Sequence, residues 1–167
     1  MPPEEPETNE ELIDAVLGAS RALVAVAARS LVHVAEDVTL VQYRVLVELA
    51  ARGPQRIVDL AAVLAVDPST ATRMCDRLVR KGLVSRRRAS ADRRAVRVTL
   101  APSGRDVVAN VTRSRRAELG TVLARLPQDD RRPVLAALRA FASAAGELPE
   151  QEWSLGWRLG TGTAAEG

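Results

Sequence analysis

Apolar residues recur at helical spacing in one long stretch before residue 36 and in two more after residue 101, with shorter segments and an alternating stretch between them. Leu12, Ile13, Val16, Leu17, Leu23, Val24, Ala27 and Leu31 follow an amphipathic helical pattern, and Thr8 with Glu11 fits a capping box at its start. Thr39 and Gln42 repeat that spacing ahead of Leu40, Tyr43, Leu46, Val47 and Ala50, and Gly53-Pro54 stops this second helix. Ile57 to Leu64 reads as a third. After the turn Ala65-Val66, Asp67 and Pro68 supply an N-cap and an N1 proline for a fourth helix, which runs to about Lys81 and stops at Gly82. Two short helices across a tight turn, the second opening on small polar residues, make a helix-turn-helix.

Leu83 to Arg88 and Ala95 to Leu100 alternate or run β-branched around the turn Ser90-Ala91-Asp92, which predicts two antiparallel strands forming a wing. A fifth helix opens at Ala101-Pro102-Ser103-Gly104, carries Val107, Val108, Val111, Leu119, Val122, Leu123 and Leu126, and breaks at Pro127. A sixth begins near Asp129 or Asp130, tolerates Pro133 in its first turn, and presents Val134, Leu135, Leu138, Phe141 and Ala142 until about Ala145. The expected fold is mainly α (α+β): six helices, a winged helix-turn-helix and a two-stranded β wing. Residues 1–7 are too rich in Pro and Glu to pack and read as a disordered lead-in. Residues 147–167 form a tail holding Trp153 and Trp157, expected to be mobile from Gly160.

Composition narrows the classes. At 167 residues the chain can bury a sizeable core. Its longest unbroken apolar run, Ala22 to Ala28, is far short of the roughly 20 residues that cross a bilayer, so neither a membrane span nor a membrane partner is expected. Met1 to Glu11 holds five Glu and no Lys or Arg, the reverse of a secretory leader, which predicts a cytoplasmic protein. A single Cys excludes an intramolecular disulfide framework, and one Cys with one His is too little for a structural zinc site; no metal and no cofactor are expected. Those two residues, about 40 positions apart on different helices, give no nucleophile beside a base, and there is no G-x-x-x-x-G-K phosphate loop. An enzyme with catalytic residues is therefore not expected.

Charge distribution says more than the net of +3. Between Arg73 and Arg105 stand 11 bases against Asp76 and Asp92, a net of +9, which leaves 3 − 9 = −6 on the other 134 residues. Codon bias towards Arg would enrich the whole chain and would not strip acids from one window. A basic block in an acidic body is the footprint of a polyanion-binding surface, because Arg neutralises phosphates and releases their counterions. On the fourth helix Ala71, Met74, Cys75 and Leu78 share one face that must point into the core. The opposite face carries Ser69, Thr70, Thr72, Arg73, Asp76, Arg77 and Arg80. Short hydroxyls at a helix start approach phosphates or base edges without clash, and Arg chelates a guanine edge in the major groove. The wing adds Arg86, Arg87 and Arg88 on its first strand, with Arg93 and Arg94 beside Asp92 at its tip, where Arg can enter a narrow minor groove.

Leu60-Ala61, Ser69-Thr70-Ala71-Thr72-Arg73, Asp76-Arg77-Leu78, Lys81-Gly82-Leu83-Val84 and above all Asp92-x-Arg94-x-x-x-Val98-x-Leu100-x-x-x-Gly104 resemble the winged helix-turn-helix of the MarR family of bacterial transcription regulators. The resemblance spans roughly residues 10 to 145. It implies a homodimer, often a repressor, that binds double-stranded DNA at palindromic operators and is released by a small-molecule effector or by oxidation. It also implies that Arg94 enters the minor groove with Asp92 orienting it, and that both chain ends interlace with a partner's. Residues 8–38 and 101–146 are then dimerisation helices flanking a DNA-binding domain at 39–100, with Leu12, Val16, Leu123, Leu135 and Leu138 in the seam. An effector pocket would lie between seam and head, with His33, Tyr43 and Leu46 as candidate lining. Ala101 and Arg56 depart from the family by replacing polar helix caps, leaving the fifth helix to rely on Pro102 and Ser103.

The sequence thus reads as a sequence-specific DNA-binding regulator. Two alternatives remain at this point: a winged module that binds protein without reading DNA, and a redox-sensing repressor acting through Cys75. The charge window disfavours the first. The inward position of Cys75 disfavours the second, since a buried thiol is inert.

Overall fold

The computed structural model of the chain describes residues 9–88, 96–149 and 152–153. Nine elements follow in order: α1 (Asn9–Val34), α2 (Leu40–Arg52), β1 (Gln55–Arg56), α3 (Ile57–Val63), α4 (Pro68–Arg80), β2 (Val84–Arg88), β3 (Val96–Leu100), α5 (Pro102–Leu123) and α6 (Arg131–Ala144). Thr8, the lead-in 1–7, the wing tip with Asp92, Arg93 and Arg94, and the tail beyond Trp153 with Trp157 lie outside the described residues.

Local chemistry explains most element ends. At α2 the Gln42 N–H donates to Thr39 Oγ1 at 3.2 Å and the Thr39 N–H donates to Gln42 Oε1 at 3.3 Å, a complete capping box. Gly82, at φ 69°, lets the chain leave α4 through a left-handed turn that returns the Leu83 N–H to the Leu78 carbonyl at 3.0 Å. The two atypical caps resolve differently. Asp59, three residues into α3, accepts from the Arg56 N–H at 3.3 Å and from its guanidinium at 2.9 and 2.7 Å. The capping carboxylate thus comes from inside the helix. Ala101 is extended ahead of Pro102 and makes no side-chain cap. Ser103 does not replace one, because its hydroxyl donates to the Gly82 carbonyl at 2.6 Å and ties α5 to the end of α4.

The sheet has three strands in the order β1-β3-β2, where two were expected. Gln55 pairs with Val98 and Arg56 with Arg97, antiparallel. Two residues are too short to leave a periodic signal, and the strand exists only because β3 offers it a free edge. In the wing proper, Val84 pairs with Leu100, Arg86 with Val98 and Arg87 with Arg97.

One core joins the helix-turn-helix to its neighbours: Val45, Leu46 and Leu49 of α2, Leu60 of α3, Cys75 and Leu78 of α4, Val98 and Leu100 of β3, Leu31 of α1, and Val108 and Val111 of α5. The long helices therefore contribute one part of their length to the head. Where α5 starts, a Cβ on Gly104 would sit 2.1 Å from the Leu83 carbonyl oxygen. Only glycine allows α5 to approach the wing that closely. Farther along, Arg29 of α1 donates to Glu118 of α5 at 3.0 and 2.8 Å, while buried Ser30 donates to the Val26 carbonyl.

The outer lengths of these helices bury almost nothing. Leu12 is 57% exposed and Leu138 49%, and α6 has no buried residue. By length and composition α1 is also long and apolar enough to cross a membrane, with 17% of its apolar window buried. Counting unbroken apolar runs missed this, because isolated polar residues such as Ser20, Arg21 and Arg29 interrupt the pattern without making the helix polar.

Candidate nucleic-acid interface

Helix α4 is placed by its own two faces. Asp67 is extended at the N-cap and Pro68 occupies the first turn, so the helix starts where the sequence puts it, although the Asp67 side chain makes no cap hydrogen bond. Ala71, Met74, Cys75 and Leu78 are buried, which turns Ser69, Arg73, Arg77 and Arg80 outward and leaves Thr70, Thr72 and Asp76 half-buried. Burial pushes the Cys75 thiol up from its ordinary pKa, so thiolate chemistry is suppressed there.

The outward face is ordered by hydrogen bonds. Arg73 donates from Nη2 to Thr70 Oγ1 at 3.1 Å, and the Thr72 hydroxyl donates back to the Pro68 carbonyl at 2.7 Å. Arg73, Asp76, Arg77, Val79 and Arg80 line a shallow surface depression. The wing arginines divide by strand alternation. Arg86 lies in register with inward-facing Val98 and therefore meets α4, where its Nη2 is 2.6 Å from Asp76 Oδ1. Arg87, in register with Arg97, lies on the other face, and both are exposed. Arg97 donates to the Pro54 carbonyl at 3.3 Å. Arg88 is the last residue of β2, and its side chain lies outside the description, as do Asp92, Arg93 and Arg94.

Two relations were missed in the sequence. Asp76 was placed on the outward face of α4, but not its ion pair across to Arg86 of β2. Arg97 was not singled out, and it sits beside Arg87 on the outer sheet face. The lone acid among arginines was the available signal for the first, and the period of two along the strands for the second.

The three residues proposed for an effector pocket do not meet. Leu46 is sealed in the core, and His33 is exposed on α1 with Nδ1 3.1 Å from the Arg29 carbonyl. Tyr43 lines a cavity of about 580 Å³ between α2 and α5 that neither His33 nor Leu46 lines. Arg44, Arg115, Arg116, Glu147 and Trp153 also line it. Arg115 lies over the Tyr43 ring, 5.0 Å from its centroid, and its buried Nε has no hydrogen-bond partner. Tyr43 and Leu46 share one buried stripe of α2, as their helical spacing predicts, but Leu46 lies fully inside the core while Tyr43 also borders the cavity. Among the described residues no cluster of His, Cys, Asp and Glu could hold a metal ion.

A helix-turn-helix whose second helix presents arginines and hydroxyls, backed by a β wing, defines a winged helix-turn-helix protein. The MarR family model matches residues 38–96, from just ahead of α2 to the first residue of β3. A solved structure of RV1404 from Mycobacterium tuberculosis superposes with a TM-score of 0.80 at 39% identity, covering 87% of this chain and 99% of that one. The chain belongs to the MarR family. The multiple antibiotic resistance protein MarR of Salmonella typhimurium is 41% identical over 68 residues, 41% of this chain and 47% of that protein, so the match spans about half the relative's length. The transcriptional repressor MdtR of Bacillus subtilis is 29% identical over 70% of this chain and 75% of its own.

Proposed function

We propose that the protein is a sequence-specific double-stranded DNA-binding transcriptional regulator, a repressor that acts as a homodimer on a palindromic operator. The observation that carries this reading is the α4 face: Ser69, Arg73, Arg77 and Arg80 point outward because the opposite stripe is buried, within a window of net +9. Thr70 and Thr72 flank Arg73 on the same face. Residues 39–100 act as the reading domain in this account, and 8–38 with 101–146 as dimerisation regions. The seam takes Leu12, Leu123, Leu135 and Leu138, all exposed in the protomer, together with half-buried Val16. Two heads then contact half-sites one turn apart, about 34 Å centre to centre. A DNA partner puts the protein's work in the cytoplasm.

In this reading Arg73 meets a base edge, Arg87 a phosphate, and Arg94 the minor groove. Arg73→Ala is expected to cost about 1 to 3 kcal/mol and to relax preference at one operator position. Arg94→Ala costs a similar ~1 to 3 kcal/mol and removes preference for A·T-rich flanks. Arg87→Ala weakens all sequences alike and lowers the salt slope by about one. Mobility-shift titrations on operator and random duplex at two salt concentrations separate these outcomes. Uniform loss in all three variants defeats sequence readout.

A small-molecule effector fits the cavity between α2 and α5 better than it fits the three residues first considered. The Arg115 guanidinium over the Tyr43 ring, on the cavity wall, suits a planar anion. A coupling of about 1 to 3 kcal/mol between cavity and reading face suffices for release, and by linkage operator DNA weakens effector binding equally.

A further inference from the structure

Beyond α6 the chain turns at Gly146 and comes back to α2. The Arg52 guanidinium donates to the Gly146 carbonyl at 2.9 Å, and the Arg44 guanidinium meets Glu147 Oε1 at 2.5 Å. Both arginines also pair with Glu48, at 2.9 Å from Arg44 and 3.1 Å from Arg52, and Glu48 is 4% exposed. A buried carboxylate thus fixes the two guanidinium groups that grip the returning segment. Farther along, the Trp153 indole N–H donates to the Leu148 carbonyl at 3.1 Å, and its half-buried ring packs against the core. Glu147 and Trp153 are walls of the cavity between α2 and α5.

A segment beyond the last helix is normally untethered unless specific contacts hold it. Here α6 has no fully buried residue in the protomer, so packing of that helix gives the segment little hold. The hold comes from two arginines of α2 and from the packing of Trp153 against the core. We propose that Gly146–Pro149 with Glu152 and Trp153 is a strap that closes this cavity, with Trp153 as its plug. A planar anion entering the cavity must displace the plug and compete with Glu147 for Arg44. The strap's part in regulation rests on the effector reading above, whereas its closure does not.

The test uses the full chain carrying Trp157→Phe, so that Trp153 is the sole tryptophan. Acrylamide quenching should be weak in this protein. Glu147→Gln combined with Arg52→Gln should raise the quenching constant by about twofold to fivefold, the population shift that loss of part-exposed ion pairs brings. Circular dichroism checks that both forms are folded. Quenching equal to that of a free indole before the substitutions, or unaltered by them, overturns the strap. Benzoate is then added as a planar anion. Increased Trp153 quenching that saturates, together with weakened operator binding, supports plug and effector reading together. Saturable opening with unchanged operator binding supports the plug and defeats its regulatory use. Benzoate binding by calorimetry that leaves Trp153 quenching unaltered overturns displacement of the plug, and absence of benzoate binding even after Trp153→Ala defeats the planar-anion site itself.

Discussion

The head and the flanking helices use the same apolar alphabet to opposite ends. In the head, Leu46, Leu60, Leu78 and Val98 are almost wholly buried within a single protomer. In the outer parts of α1, α5 and α6, Leu12, Leu17, Leu123, Leu135, Leu138 and Phe141 remain about half exposed. The head completes its core within the protomer, with Leu31 of α1 and Val108 and Val111 of α5 closing it. The flanks carry apolar stripes of ordinary amphipathic period that find no cover among the described residues, the pattern that the proposed dimer seam requires. Hydrophobic periodicity therefore predicts helices equally well in both regions, and burial separates folding from assembly.

The sharpest way to break this contrast is to charge the seam. Leu138→Asp, or Leu12→Asp, should leave the head folded but make the protein sediment as a monomer. Specific operator affinity should then fall towards the non-specific level, a loss of ~4 kcal/mol or more. A dimer of unchanged affinity in both variants would remove the distinction between the regions. The counterpart in the head is Leu46→Ala, which should cost about 2 to 5 kcal/mol in denaturant unfolding through the cavity it leaves. A similar cost for Leu138→Ala measured at protomer level would show that the flanks are core after all.

Gly104→Ala tests the junction between the regions. Its Cβ would meet the Leu83 carbonyl at 2.1 Å, so α5 must shift away from the wing, at an expected cost of about 1 to 3 kcal/mol in chemical denaturation. The smallest effect is expected within the head, at the turn between α3 and α4. Ala65 sits at φ 52°, a left-handed conformation that strains any residue with a Cβ. Ala65→Gly relieves that strain but adds unfolded-state entropy, so stability should rise by no more than about 1 kcal/mol. A clear loss of melting temperature would show that Ala65 supplies packing instead.

The helix-turn-helix was legible because its signals are local. Thr39 with Gln42, Asp67-Pro68 and Gly82 each act within a turn or two of their own position, and the buried stripe Ala71, Met74, Cys75, Leu78 follows from a period of 3.6. The reading face came with that stripe, since whatever lies opposite buried residues must face outward. Less local features were harder to read. β1 is only two residues long and depends on the edge of β3, some 40 positions later. The expected wing cluster of Arg86, Arg87 and Arg88 separates at its first two members, because adjacent strand residues face opposite ways and Asp76 holds Arg86 against α4.

From sequence alone came the order of the six helices and most of their ends, the inward face of α4 and the concentration of arginine around it, because caps, turns and periodicity depend on near neighbours; α5, expected to reach Leu126, stops at Leu123. Only the tertiary structure decided that Leu46 is sealed while Tyr43 opens on a cavity, that Arg115 stands over Tyr43, and that the chain beyond α6 returns to Arg44 and Arg52. These contacts join residues about 70 to 100 positions apart. Their formation depends on the directions in which packed helices cross, which no local pattern records.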